Sequence, residues 1–433
     1  MKEELLHHIW KYGLFDQRSL KTDSGEPVSI LKPGEHNRDR GPDFVNARIK
    51  IGDTTWAGNI EIHITSDDWY RHFHQRDSFY DNTLLHVVYE HNASVKRTDG
   101  SIIPVIELKE LVDRELEIRY EELMAEKAWV PCQAHLATVD ELSVHAWLDR
   151  VLVERLEEKC EAHRSVLEKN AYNWEETFYQ LLARNFGFKV NSGPFEMLAM
   201  SLPLGILEKH RHKLAEVEAL LFGQAGLLNG KFKDNYPQQL QREYKYLSAS
   251  YNLKPIEGKI WKFLRLRPAN FPTVRIAQFA QLICRSQKLF SGVIEQAASL
   301  TAMKTFFSLS VSGYWNAHYV FGKKHAPISK NMGASAVDNI IINTIVPLLF
   351  LYGRENGLQS YCDRAADLLS RIPPENNSVI NNWKTVGVRA ISADVSQALL
   401  KLKTSYCDKK QCLSCGIGNA ILNRQVAEPS YQG

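Results

Sequence analysis

The apolar residues of this chain change their period once, near Val112. Before that point they recur mostly every second residue, and after it every three to four, so a sheet must come first and a helical assembly second. Val28–Leu31 is the first extended run. Val45, Ala47, Ile49 and Ile51 then alternate with Asn46, Arg48 and Lys50, and after Gly52-Asp53, a two-residue hairpin signal, Trp56–Ile64 alternates again. Leu84–Tyr89 and Ile102–Leu108 read as two more strands, with a polar segment of helix and loop, Asp67–Asn82, ahead of them. A short amphipathic helix, Glu3–Tyr12, opens the chain through Leu5, Leu6, Ile9 and Trp10. From Val112 onward the pattern predicts long helices, broken at Asn191–Pro194, Pro255–Gly258 and Ile372–Asn377. The expected fold class is α+β: an α/β core with a mixed sheet over 1–112, a larger all-α domain over 113–400, and a cysteine-bearing tail, 401–433, packing back on the junction.

Composition narrows the function classes. With 44% hydrophobic and 24% charged residues and a net charge of +3, the chain is neither disordered, collagenous nor coiled coil. No apolar run reaches the ~18 residues a spanning helix needs; the longest, around Ile340–Phe350, contains Asn343 and Pro347. The opening MKEELLHHIWKYG carries acids and lacks the hydrophobic segment of a leader. A cytoplasmic location with no membrane partner is expected.

Charge is uneven. Residues 1–110 hold 14 Lys and Arg against 18 Asp and Glu, and eight of the 15 histidines fall in the first 91 residues. The window Asn229–Arg275 supplies ten basic against three acidic residues, interleaved with aromatics, and is densest in Trp261–Arg267. Cations contact phosphates and aromatic faces stack on bases, so Trp261, Lys262, Arg265 and Arg267 are candidates for nucleic-acid binding, with a helix core under a solvated face as the alternative.

The most informative stretch is Gly41-Pro42-Asp43-Phe44 followed by Gly58-Asn59-Ile60-Glu61-Ile62-His63. Glu61 and His63 share one strand face. A two-residue hairpin at Gly52-Asp53 pairs positions that sum to 105, which sets Asp43 opposite Ile62, on the wrong face; a bulge or a bend at Gly41-Pro42 is needed to bring it to Glu61. Two carboxylates holding Mg²⁺ or Mn²⁺, with His63 positioning or deprotonating water, suit phosphodiester hydrolysis. The plainer alternative is the polar face of a half-buried strand.

The order helix, strand, Pro-Asp strand, Glu-x-basic strand resembles the PD-(D/E)XK nuclease superfamily over residues 1–110, which implies a restriction-endonuclease-like core. Pro42-Asp43 matches its first motif and Glu61-Ile62-His63 its second, with His in place of the usual Lys. Glu4 stands where some members place a further acid. The whole chain also resembles an uncharacterised bacterial family of unknown function, common in Bacteroidetes, through Gly41–Phe44, Gly58–His63, Ser66–Trp69, Glu218–Leu228, Arg267–Phe279 and Asp338–Pro347.

Two other sets can hold metal. His72, His74 and Asp77 follow the Glu61 strand and could line the same cleft or bind a transition ion, while His86 reads as a hydrogen-bonded core residue. Seven cysteines are too few for a disulfide scaffold, yet Cys407, Cys412 and Cys415 fall within nine residues. With Cys132 as the fourth ligand they would hold zinc or an iron–sulfur cluster; some nucleases of the superfamily carry a four-cysteine cluster as a staple, with different spacing. The leading expectation is a metal-dependent nuclease-like protein acting on DNA or RNA. The alternatives are a non-catalytic nucleic-acid-binding or assembly protein with a degenerate core, and a zinc hydrolase of small molecules centred on His63, His72, His74 and Asp77.

Overall fold

Glu3–Tyr12 (α1) forms a helix because Leu5, Leu6, Ile9 and Trp10 fall on one stripe and are all buried. Glu3 and Glu4 in its first turn and Lys11 in its last complement the helix dipole. Gly13, at φ +64°, closes it, its N–H reaching the carbonyls of Ile9 and Trp10. The computed structural model describes residues 1–296, 299–311 and 313–424. The chain divides into two compact units, the first comprising Met1–Leu148, Thr385–Val388 and the stretch from Lys401, the second Asp149–Lys384 and Arg389–Leu400. The first unit therefore runs past the boundary expected at 112 and takes in the cysteine tail, of which 425–433 lie outside the described residues.

The first unit is built on a six-stranded mixed sheet. Its strands are β1 (Val28–Lys32), β2 (Glu35–His36), β3 (Phe44–Ile51), β4 (Thr54–Thr65), β5 (Thr83–Glu90) and β6 (Val105–Glu107). The order is β1-β3-β4-β5-β6, with β2 also on β3. Pairs on the β1 side are antiparallel, and β4–β5 and β5–β6 are parallel. A parallel neighbour requires a crossover, and residues 66–82 provide it, carrying the short helix α2 (Asp68–Arg71) and two further single turns. Gly58 in β4 lies so close to this crossover that a Cβ there would stand 2.9 Å from the Asn82 carbonyl. The crossover is pinned by Trp69, fully buried against Val88, Val95, Ile103 and Val105, its Nε1 donating to the Lys96 carbonyl at 3.0 Å. Arg114–Ala125 (α3) follows the sheet, with Asp113 capping it through the Glu115 N–H.

The second unit is helical apart from a two-stranded hairpin, His318–Val320 with Lys323–Lys324. Its core gathers Phe178, Tyr179, Phe186, Phe195, Phe222, Phe279 and Trp315. Two departures from expectation have local causes. Phe188–Ser201 is helical through the expected break because the kink falls at Asn191, which puts Pro194 in the opening turn beyond it, where a missing N–H costs little. Ala334–Asn356 runs unbroken through a π turn at Ile341–Ile345 that absorbs Asn343, with Pro347 at the start of the next helical stretch. By length and composition this one stretch could cross a membrane, contrary to the sequence reading, but it is 67% buried within the unit's core.

Candidate metal centre

Asp43 reaches Glu61 because β3 carries a bulge. From Ala47↔Gly58 to Ile51↔Thr54 the pairing follows the hairpin register, but beyond the bulge Phe44 faces Ile60, one step out. Asn46 takes the extra residue's strain with φ +57°, a conformation Asn tolerates better than most. Asp43 therefore comes abreast of Glu61. Its N–H donates to Glu61 Oε2 at 3.1 Å, and the Ile62 N–H donates to Asp43 Oδ2 at 2.9 Å. The two acids are locked to one another's backbone.

The crossover brings the histidines to the same place. Thr65 ends β4 and gives both its N–H (3.0 Å) and its hydroxyl (2.8 Å) to Asp68 Oδ2, fixing the start of α2. Phe73, exposed and left-handed at φ +61°, then turns the chain between His72 and His74. An aromatic residue held this way costs roughly 1–2 kcal/mol, the kind of strain that collects at functional sites. His72 Nδ1 lies 3.0 Å from His63 Nε2, while Glu61 Oε1 stands 3.1 Å from His74 Nε2 and 3.5 Å from His63 Nε2. One ring nitrogen from each of His63, His72 and His74 falls within 4.8 Å of the others. On its far side, His63 Nδ1 meets His86 Nε2 at 2.9 Å, the orienting contact that metal-binding imidazoles characteristically make. Three clustered imidazole nitrogens, two of them within 3.5 Å of a carboxylate oxygen, are the donor types that suit a transition ion.

Burial sets the electrostatics. It pushes Glu61 up to about 9, with the charge of Asp43 adding to the rise. It drives His63 far below the ordinary imidazole range, lowers His86 to about 3, and lowers His74 as well. Neutral imidazole is the form that binds metal. His7 on α1, 3.4 Å from Asp43 Oδ2, goes the other way: burial opposes its charge, but the hydrogen bond and charge of Asp43 outweigh it. Exposure separates floor from rim. Glu61 and His63 are 4% and 1% exposed, whereas the side chains of His7 and Asp43 are 17% and 24% exposed and His72 is open to solvent.

Asp43, Glu61, His63, His72 and His74 are thus brought together. Others are placed elsewhere. Glu4 is exposed and acts on Tyr120 on α3; the acid turned toward His7, Asp43 and His72 is Glu3, raised by burial first. Asp77 pairs with Arg40 at 2.9 Å and accepts from the Phe79 N–H at 3.1 Å, which takes it out of the imidazole group. His63, expected to handle water, is enclosed with both nitrogens engaged. Trp261 is core: it is 5% exposed, packs edge-on to Phe195 at 5.1 Å and donates to the Ala225 carbonyl at 2.8 Å, so its face is not offered to a base. Lys262, Arg265 and Arg267 are exposed on the helical unit. The unrecognised partners were Glu3 and His7, whose i, i+4 spacing on the polar side of α1 was the available signal.

Residues 3–378 match the DUF2851 family, described as a protein of unknown function. The chain belongs to the DUF2851 family. No curated protein and no solved structure matches it. The DUF2851 match takes in α1, both strands of the Asp43–Glu61 pair and the histidine crossover, so every residue of the centre lies within it. Of the four cysteines read as a metal set, it includes Cys132 and stops before the other three.

Proposed function

We propose that this chain is a metal-dependent phosphodiester hydrolase of the nuclease type, working with a transition ion in preference to Mg²⁺. The observation that carries the reading is the convergence of His63, His72 and His74, with Glu61 against two of them, a donor set too rich in nitrogen for Mg²⁺, which prefers oxygen. His63, His72, His74 and Glu61 would hold Mn²⁺ or Zn²⁺, with Asp43 at its side. Such an ion supplies neutralisation of phosphoryl charge and a bound water of lowered pKa. The chain's own groups do the rest. Asp43 and His7, at the rim, are placed to orient water and hold its proton, and His86 fixes the His63 ring. Arg76, exposed on the crossover and lying over Phe73, offers a cation to an incoming phosphate.

A second reading, a hydrolase of small molecules on the same ion, draws on the depth of Glu61 and His63, which suits a compact substrate. Purified protein should be assayed with Mn²⁺, Zn²⁺ and Mg²⁺ on single- and double-stranded DNA, on RNA and on a small aryl phosphodiester. Cleavage of a nucleic acid is expected with Mn²⁺, reduced about 100-fold in His72→Ala, whose exposed side chain can be removed without emptying the core. Turnover of the small ester alone would favour the second reading. Wild type and variant equally inert on every substrate would remove catalysis from the account.

A further inference from the structure

The cysteine tail of the first unit is a separate cluster that shares no residue with the histidine centre. Cys132 lies in the turns after α3, Cys407 ends the π turn Lys403–Cys407, and Cys412 and Cys415 bracket a single turn that leads into the helix Gly416–Leu422. Although about 275 residues separate Cys132 from Cys407, all six pairings of these four thiols are close enough for one charge to act on the other. All four are free; Cys132, Cys412 and Cys415 are buried and Cys407 is half-buried.

Burial raises all four thiols above the ordinary range, while the Ile417 and Gly418 N–H groups hydrogen-bond Cys415 Sγ and oppose that rise. The Cys-x₂-Cys-Gly turn that allows this has no room for side chains. A Cβ on Gly416 would stand 2.7 Å from the Trp147 ring, and one on Gly418 would stand 2.1 Å from the Cys412 carbonyl. The turn is anchored by Cys415 N–H to Cys412 O at 3.2 Å and by Lys410 N–H to Cys407 O at 3.1 Å. Lys410 Nζ also donates to the carbonyls of Met124 and Glu126 at the end of α3, holding the tail beside the segment that carries Cys132.

We infer that Cys132, Cys407, Cys412 and Cys415 form a tetrathiolate site for one thiophilic metal centre, zinc or an iron–sulfur cluster, which fastens the C-terminal tail into the first unit. Four sulfur ligands complete such a centre with no contribution from solvent. Binding replaces four S–H protons with four metal–sulfur bonds, and the protons pass to the medium.

The test uses the full chain, purified without oxygen, with zinc, iron and acid-labile sulfide measured per chain. One centre is expected: colourless if zinc, or brown with matching sulfide if a cluster. It should persist in His72→Ala, which separates it from the histidine site, and disappear in Cys412→Ser and Cys132→Ser, with circular dichroism reporting whether those variants fold. Should they not fold, a mercurial titration of wild type still decides the matter: metal should be released as thiols are blocked, and metal retained after all seven thiols have reacted would overturn the assignment. Reconstitution with Co²⁺ should add sulfur-to-metal charge-transfer absorption. Protein that carries no zinc or iron and takes up neither on reconstitution would overturn the assignment. So would a stoichiometric zinc or iron that survives in folded Cys412→Ser when His72→Ala is also present to remove the histidine site's ion.

Discussion

Glu61→Gln is expected to lower affinity for the catalytic ion at least 100-fold and to abolish metal-stimulated cleavage while leaving the fold intact. Even residues that only support metal ligands are worth about 10–100-fold, and Glu61 Oε1 stands within 3.5 Å of both His63 Nε2 and His74 Nε2. The amide keeps the shape and can still accept the Asp43 N–H through its oxygen. The same variant gives a stability signature of definite sign. Burial and the charge of Asp43 raise Glu61 from an ordinary value of 4.5 to about 9 in the folded protein. Between those limits the native state binds the proton that the unfolded chain has lost, so this group's contribution is fully present below about pH 4.5 and is lost as pH rises through about 9. The buried imidazoles titrate in the opposite sense: with folded pKa values depressed, they cost stability as pH falls below about 6.5. Thermal melts of metal-free wild type and Glu61→Gln between pH 7 and 9 isolate the carboxyl. Wild type should weaken steadily relative to the variant, and saturating Mn²⁺ should reverse the difference in favour of wild type, which binds the ion more tightly. Parallel curves without metal would show that Glu61 is not held protonated.

Asn46→Val should damage the centre without touching it. Asn46 is the residue whose left-handed backbone lets β3 slip one place against β4. A β-branched side chain there meets roughly 1–2 kcal/mol or more of steric cost. The alternative is to iron the bulge flat, which turns Asp43 to the face of Ile62 and puts a carboxylate among apolar side chains. Either outcome should lower ion affinity about tenfold or more, since ~1.4 kcal/mol is a factor of ten. Asn46→Gly, free to adopt positive φ, should retain wild-type affinity. Isothermal titration of the three proteins with Mn²⁺ checks this ordering, and equal affinities in Val and Gly would refute the bulge's role.

The strands, the hairpin turn and α1 were legible because alternation and helical spacing are local properties of Glu3–Tyr12 and Val45–Ile64. The need for a bulge was legible too, as a conflict: strict pairing placed Asp43 on the wrong face. Its location was not, since Asn46 is an ordinary strand residue until tertiary contacts make the slip worthwhile. The exchange of Glu4 for Glu3 has the same origin, because a stripe pattern fixes which side of a helix is apolar but not which polar neighbour meets a distant strand. Trp261 illustrates a different limit. A run such as Trp-Lys-Phe-Leu-Arg-Leu-Arg has the composition of a binding surface, yet its aromatic lead is consumed by Phe195 and the Ala225 carbonyl. The extent of the first compact unit, to Leu148, is not legible for a third reason: period says where helices begin, not which unit they complete.

Helix α1 has neighbours at both extremes of the chain's order of synthesis. His7 turns to Asp43, while the adjoining His8 lies near Asn423 and Leu413, and Tyr12 Oη meets Asn419. A ribosome makes the first of these residues some four hundred before the last. The side of α1 turned to residues 413–423 therefore stays uncovered until they have been made, by which point the core of the helical unit is already synthesised. Completion of the packing of α1 only after the helical unit has been made follows from that order of events.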